Sequence, residues 1–261
     1  IDIGLSRGEG EMPLLELRNV TKSFASRTPR PFVVLEHITM TVDRGDFVCI
    51  VGPSGCGKST LLRIICGLIP PTDGQVLYKG VEVKKVCEEM AMVFQSFALF
   101  PWLTVLENVE IGLYSKKLPK EEKRRRALKM IEMIGLSGFE EAYPRELSGG
   151  MKQRVGLARA LISDPTVLLM DEPFSSLDPL TATYLREELL DFWLNPDMAP
   201  DSVITVTHSV EEAVYLANRV IVLSHRPGTI LKEVLIDLPR PRDPRSDKLY
   251  ALVDQITSLI A

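Results

Sequence analysis

Phe47-Val48-Cys49-Ile50-Val51-Gly52-Pro53-Ser54-Gly55-Cys56-Gly57-Lys58-Ser59-Thr60-Leu61-Leu62-Arg63-Ile64-Ile65 is the stretch that decides how this chain folds. Its first five residues are apolar and mostly β-branched or aromatic, the composition of a fully buried strand. The run stops at Gly52, and Leu61, Leu62, Ile64 and Ile65 then return at helical spacing. Between strand and helix, Gly52 to Ser59 matches the pattern G-x4-G-K-[ST] in the context that gives that pattern meaning. Glycines let the backbone bend until successive N–H groups point at one anion, and a helix starting there adds the positive end of its dipole. Lys58 is expected to reach the β- and γ-phosphates of a nucleoside triphosphate and Ser59 to ligate Mg2+. Pro53, Ser54, Gly55, Cys56, Gly57 and Thr60 complete the phosphate cradle.

Two later runs repeat the strand pattern. Val167 to Met170 ends at Asp171, and Val203 to Val206 ends at Thr207 and His208. Short apolar runs that deliver polar groups at their C-terminal ends fit buried parallel strands of an α/β fold. Upstream, Leu15, Leu17 and Val20 read as a strand, Ser26 to Pro31 as a loop, and Val33 to Val42 as a further extended segment, which suggests a small antiparallel β region. The texture changes between Gln95 and Pro165. There Pro119 opens a helix with Ala127, Met130, Ile131 and Ile134 on one face, and Gly135 follows as its C-cap. The basic run Lys123 to Arg126 inside that helix reads as a solvated face. Ile230, Val234 and Ile236 suggest a late hairpin, Pro239, Pro241 and Pro244 a stiff connector, and Leu249, Leu252, Val253, Ile256 and Leu259 an amphipathic helix. That helix is as well suited to this chain's own core as to a partner.

Composition narrows the function classes. A chain of 261 residues, 45% hydrophobic, can bury a large core, and a formal charge of −4 offers no basic field for nucleic acid. No stretch approaches the roughly 20 apolar residues that span a bilayer, and no basic region followed by an apolar segment marks a signal peptide. Ile1 to Met12 lacks periodicity and reads as a flexible lead-in, with order starting near Leu14. Cys49, Cys56, Cys66 and Cys87 lie in or beside apolar runs, not at metal or disulfide spacings, which points to a reducing cytosolic compartment. Cys56, close to a helix N-terminus, is expected to have a lowered thiol pKa and to be open to alkylation.

Leu147-Ser148-Gly149-Gly150-Met151-Lys152-Gln153 adds a second anion-suited turn: a hydroxyl, two unhindered N–H groups and a helix running to Leu161. This stretch resembles the LSGGQ signature of the ABC ATPase family, with Met151 where glutamine often stands. The resemblance extends from Leu14 to about Leu238. Val167 to Asp171 resembles a Walker B strand, with Asp171 on Mg2+ and Glu172 as the base that polarises water. Gln95 resembles the Q-loop glutamine, Ser175-Ser176-Leu177-Asp178 the D-loop, His208 the switch histidine at the γ-phosphate, and Phe24 the aromatic that stacks on adenine, where tyrosine is more usual.

The resemblance implies a RecA-like P-loop NTPase core with an N-terminal antiparallel β subdomain and an inserted helical signature subdomain, about residues 95–165, within an ATPase domain of residues 14–238. Residues 239–261 then form a linker and helix. It implies ATP and Mg2+ as cofactors, with Ser59, Gln95 and Asp171 around the metal. It also implies closure head to tail with a second copy of the chain or a homologous ATPase, so that Ser148, Gly149 and Gly150 cap ATP held by the other subunit, because two such loops of one chain cannot easily share one γ-phosphate. Separate transmembrane permease subunits, a periplasmic or lipoprotein solute-binding protein reached indirectly, and a peripheral position on the cytoplasmic face of the inner membrane follow from the same likeness. Ser96 to Val109 is more aromatic than a surface loop needs, which suits both core packing and a groove for a permease helix. That stretch and Asp237-Leu238-Pro239-Arg240-Pro241-Arg242 are similar to ATPases of bacterial nitrate, sulfonate, taurine and bicarbonate importers. A single uninterrupted cassette argues against the repair and translation branches of the family, and a soluble ABC ATPase that regulates or assembles other proteins without a permease is the open alternative.

Overall fold

The computed structural model describes residues 12–25, 31–195 and 200–260. Most of the proposed lead-in and most of the Ser26 to Pro31 loop lie outside those residues. The chain divides into two compact units, one formed by residues 1–87 with 201–261 and the other by residues 88–200.

The first unit begins with β1 (Leu15–Phe24) and β2 (Phe32–Val42), which pair antiparallel. Leu15, Leu17 and Val20 of β1 are buried, with Glu16 and Arg18 ion-paired on the other face. Next come β3 (Phe47–Val51), α1 (Lys58–Ile65), β4 (Asp73–Tyr78) and the two-residue β5 (Val81–Glu82). A four-stranded antiparallel sheet in the order β2-β1-β4-β5 results. Every residue of β3 is buried, as its unbroken apolar run requires.

The second unit opens with β6 (Met90–Val93) and continues through α2 (Val105–Glu110), α3 (Lys120–Met133) and α4 (Gly149–Leu161) to β7 (Val167–Asp171) and α5 (Pro179–Leu194). β6 and β7 run parallel, with Met90 opposite Val167 and Val93 opposite Met170. Local chemistry sets the helix starts. Thr104 caps α2 in a reciprocal box, accepting from the Glu107 N–H at 3.2 Å while Glu107 Oε2 accepts from the Thr104 N–H at 2.8 Å. Pro119 precedes α3, whose Ala127, Met130 and Ile131 are buried, and Gly135 leaves the helix at φ 66°. The basic run on α3 is partly neutralised by Glu122, which accepts from Arg125 and Arg126 and is held at about 2 by those guanidinium groups.

The chain then returns to the first unit as β8 (Ser202–Thr207), α6 (Val210–Leu216), β9 (Arg219–Leu223), β10 (Ile230–Leu235) and α7 (Asp247–Ile260). β3 pairs parallel with β8 on one side and with β9 on the other, and β10 adds antiparallel to β9, closing the late hairpin. Leu249 and Ile256 bury one face of α7, which packs on α6, β9 and β10 of its own chain. Among the described residues no helix is long and apolar enough to cross a membrane.

Candidate functional site

In the first unit β3 runs directly into the Gly52 to Ser59 turn. Steric space is minimal at two of its glycines. A Cβ on Gly52 would lie 2.9 Å from the Leu223 carbonyl oxygen, and one on Gly57, at φ 110°, would lie 2.7 Å from Leu35 Cδ2. Gly57 is also the N-cap of α1, so no side chain caps that helix, and its first turn carries no acidic residue. The α1 N-terminus therefore keeps its positive dipole end for an anion. Lys58 is buried, its ammonium donating to the Gly52 and Pro53 carbonyls at 2.8 and 3.1 Å, which centres the charge over the loop. The residues present thus fit a triphosphate.

Cys56 overturns an expectation. Its thiol is 1% exposed, and burial pushes its pKa up, with the Lys58 charge only partly offsetting the shift. The turn around Ser224 braces this part of the loop: a Cβ on Gly228 would lie 2.3 Å from the Cys56 carbonyl oxygen. Burial, not the helix dipole, decides this thiol.

Phe24 ends β1 opposite Phe32 of β2, 42% exposed, with the Lys22 ammonium 5.1 Å from its ring centroid. His208 follows the buried Thr207 at the end of β8 and is exposed. The next residue, Ser209, caps α6 by accepting from the Glu212 N–H at 3.1 Å, and its own N–H donates to Thr207 Oγ1 at 3.1 Å. Phe24, the Gly52 to Thr60 turn and His208 all belong to this first unit.

Gln95, Asp171, Glu172 and Ser148 to Gly150 belong to the second unit. β7 is buried along its length and delivers Asp171 at 3% exposure. Glu172 follows at φ 46°, a left-handed conformation that costs a non-glycine residue about 1–3 kcal/mol. Gln95 Nε2 donates to Glu172 Oε2 at 3.2 Å and to Ser175 Oγ at 3.4 Å, and Ser175 Oγ donates to the Glu172 carbonyl at 3.0 Å. The strand end, the loop after β6 and the Ser175 turn thus meet at one residue, Glu172, whose carboxylate is held by Gln95 and whose main-chain carbonyl is held by Ser175. Among the described residues no three His, Cys, Asp or Glu side chains converge as a protein-only metal cage. Mg2+ does not need one, since it ordinarily takes one or two protein ligands together with substrate phosphates.

The loop after Gln95 carries two consecutive left-handed residues, Phe97 at φ 61° and Ala98 at φ 47°. Arg159 of α4 holds both, donating to the Phe97 and Ala98 carbonyls at 2.8 and 2.7 Å, with its guanidinium 5.8 Å from the Phe100 ring. Asn108, fully buried, donates to the carbonyls of Phe100, Leu103 and Thr104 and accepts from the Phe100 N–H. Trp102 is 69% exposed beside Phe100. The aromatic stretch therefore divides into a core-facing part and an outward part. Nothing in the sequence distinguishes Arg159, or Asn108 within its aromatic stretch, as a loop-holding residue. An arginine late in an amphipathic helix carries no local sign that its partners are two carbonyls about sixty residues upstream.

Ser148 caps α4, its Oγ accepting from the Met151 N–H at 3.3 Å. Ser148 and Gly149 are exposed. A Cβ on Gly149 would meet Leu177 at an ordinary 3.4 Å, whereas one on Gly150 would lie 2.6 Å from Thr181 Cγ2. The signature turn thus rests against the stretch that carries Leu177 and the start of α5.

A family model described as ABC transporter matches residues 35–175, just over half of the chain. An ABC transporter ATP-binding protein of Methanocaldococcus jannaschii is 51% identical over 94% of this chain and 91% of its own length. The nitrate import ATP-binding protein of a Synechocystis species is 44% identical over 94% of each chain. The aliphatic sulfonates import ATP-binding protein of Bacillus cereus is 43% identical over 91% of this chain and 92% of its own length. Among solved structures, the ATP-binding cassette MJ0796, in a dimeric post-hydrolysis state with ADP and Pi, superposes at a TM-score of 0.75. It is 33% identical to this chain and covers 86% of it and 100% of its own.

Proposed function

This chain belongs to the ABC transporter family as an ATP-binding ATPase, and we propose that it energises a bacterial importer for a small anion such as nitrate, a sulfonate, taurine or bicarbonate. The observation that carries the mechanistic part is the presence in one chain of two anion-suited helix N-termini of different build. One is opened by Gly57 and backed by Lys58, and the other is opened by Ser148 on an exposed turn. A chain with both is suited to a head-to-tail pair, in which the Ser148 to Gly150 turn of one copy closes over ATP held by the other.

In this reading Phe24 stacks on adenine, the Gly52 to Thr60 amides and Lys58 hold the phosphates, and Ser59, Gln95 and Asp171 are the Mg2+ side. Bound Mg2+ would neutralise charge between the β- and γ-phosphates. Glu172 accepts a proton from the attacking water, and Gln95, which already donates to the Glu172 carboxylate, orients that carboxylate. His208 steadies the γ-phosphate from the N-terminal side of α6. The ATPase domain is taken as residues 14–238 with a helical region about 95–165, and residues 239–261 as a connector and helix.

The anion assignment rests on the nitrate and sulfonate importer relatives, together with the Ser96 to Val109 and Asp237 to Arg242 stretches. Affinity capture of the tagged chain from its own membranes should bring down a multi-spanning permease and a second copy of the chain. Loss of the gene should reduce uptake of one of the four anions. Capture of soluble partners alone, with uptake intact, would favour a regulatory or assembly ATPase.

A further inference from the structure

The Asp237 to Arg242 stretch, which the reading above uses only as a likeness, has a physical partner. α6 is seven residues long, about 10 Å at 1.5 Å per residue, and a helix that short is marginal without outside support. Its last intrahelical bond runs from the Ala217 N–H to the Ala213 carbonyl, which leaves the carbonyls of residues 214 to 217 as the four orphan acceptors of the C-terminus. Ala217 is extended, so no left-handed residue closes the end, and the last turn contains no basic residue of its own.

All four orphans are met by two arginines from the C-terminal arm. Arg242 Nη1 donates to the Val214, Tyr215 and Ala217 carbonyls at 2.7, 3.1 and 2.5 Å, and Arg240 Nη2 donates to the Leu216 carbonyl. Arg242 also ties down its own arm through the Ile236 and Leu238 carbonyls at 3.3 and 3.2 Å. It is 7% exposed, it donates to main-chain carbonyls, and burial pulls the guanidinium down to about 10. Taking a charge out of water onto carbonyl dipoles is costly unless the donors are satisfied; each Arg242 nitrogen has a carbonyl partner, whereas Arg240 Nη1 is buried without one among the described residues, which makes Arg242 the principal grip on the negative end of the α6 dipole.

At the other end of the same two-turn helix stand its cap, Ser209, and His208. We propose that Arg242, assisted by Arg240, is a positioning residue for ATP hydrolysis, gripping the C-terminal carbonyls of α6 so that the helix presents His208 in fixed register. The proposal rests on the reading of His208 given above. It gives the Leu238-Pro239-Arg240-Pro241-Arg242 motif a mechanical role: the arm beyond β10 sets the helix that follows β8.

The test is a double-mutant cycle on ATP turnover by the full-length chain, with thermal melting measured alongside. Arg242→Ala is expected to lower kcat about tenfold to a hundredfold through displacement of the helix, with KM for ATP within about twofold. Arg242→Lys, which keeps the charge but loses the planar fork, should fall between Arg242→Ala and the parent. In a His208→Ala background, Arg242→Ala should cost no further turnover beyond about twofold, while its melting shift stays the same as in the parent. Multiplying losses of kcat, an unchanged kcat in folded Arg242→Ala, or failure of both Arg242 variants to fold would each overturn the proposal. A full-rate His208→Ala would instead sink the reading of His208 and this inference with it.

Discussion

The phosphate turn that opens α1 and the signature turn that opens α4 are both glycine-containing helix starts, yet they are built for different conditions. At α1 the glycines are demanded from inside. Gly57 sits at φ 110° with no room for a Cβ, and the lysine that follows is buried against its own loop. At α4 the glycines have ordinary φ, Gly149 has room for a methyl group, and the cap serine is exposed. The first turn is complete within its own unit. The second leaves its hydroxyl and glycine edge facing outward, as a surface meant to be covered by something else would.

Substitutions can break or sharpen that contrast. Lys58→Ala should have the largest effect, lowering turnover at least a hundredfold and ATP affinity with it, because it removes the buried ammonium held over the phosphate cradle. Phosphate release and fluorescent-nucleotide binding read both. Glu172→Gln should cost about 10²- to 10⁴-fold in turnover while keeping ATP binding and stabilising a nucleotide-bound dimer on gel filtration. Near-normal hydrolysis would remove Glu172 from the role of base.

A paired substitution addresses the two turns directly. Gly57→Ala should lower folding stability by about 1–3 kcal/mol, from its positive φ and its clash with Leu35. Gly149→Ala should change stability by less than about 0.5 kcal/mol and still slow turnover. Denaturant melts of the two variants separate a turn shaped from within from one shaped for a partner, and equal destabilisation would erase the distinction. The smallest effect concerns Cys56. Iodoacetamide should leave this buried thiol unmodified in the folded protein without any need for ATP, as peptide mapping would record.

The difference between the turns also explains what the sequence could disclose. The strand, turn and helix at Phe47 to Ile65, the helix between Pro119 and Gly135, and the β7 run ending at Asp171 rest on local periodicity and punctuation, and these are legible in one dimension. Features made by distant segments were not. The raised Cys56 thiol is not legible because the dipole at the start of α1 shows in the sequence whereas the burial of the side chain beside Gly52 does not. The left-handed Phe97, Ala98 and Glu172 have no glycine to announce them. Arg159 and Arg242 look like ordinary charged residues until the carbonyls they hold are known.

The central claim, that a working centre combines the phosphate turn of one copy with the signature turn of another, is tested most directly by mixing two inactive variants. Lys58→Ala and Ser148→Arg homodimers should each be nearly inactive in ATP hydrolysis. In an equimolar mixture, a mixed dimer carries both defects at one interface and neither at the other, so turnover should recover to roughly a quarter of the parent rate for a randomly exchanged two-fold dimer. A mixture no more active than the sum of its parts would contradict the account.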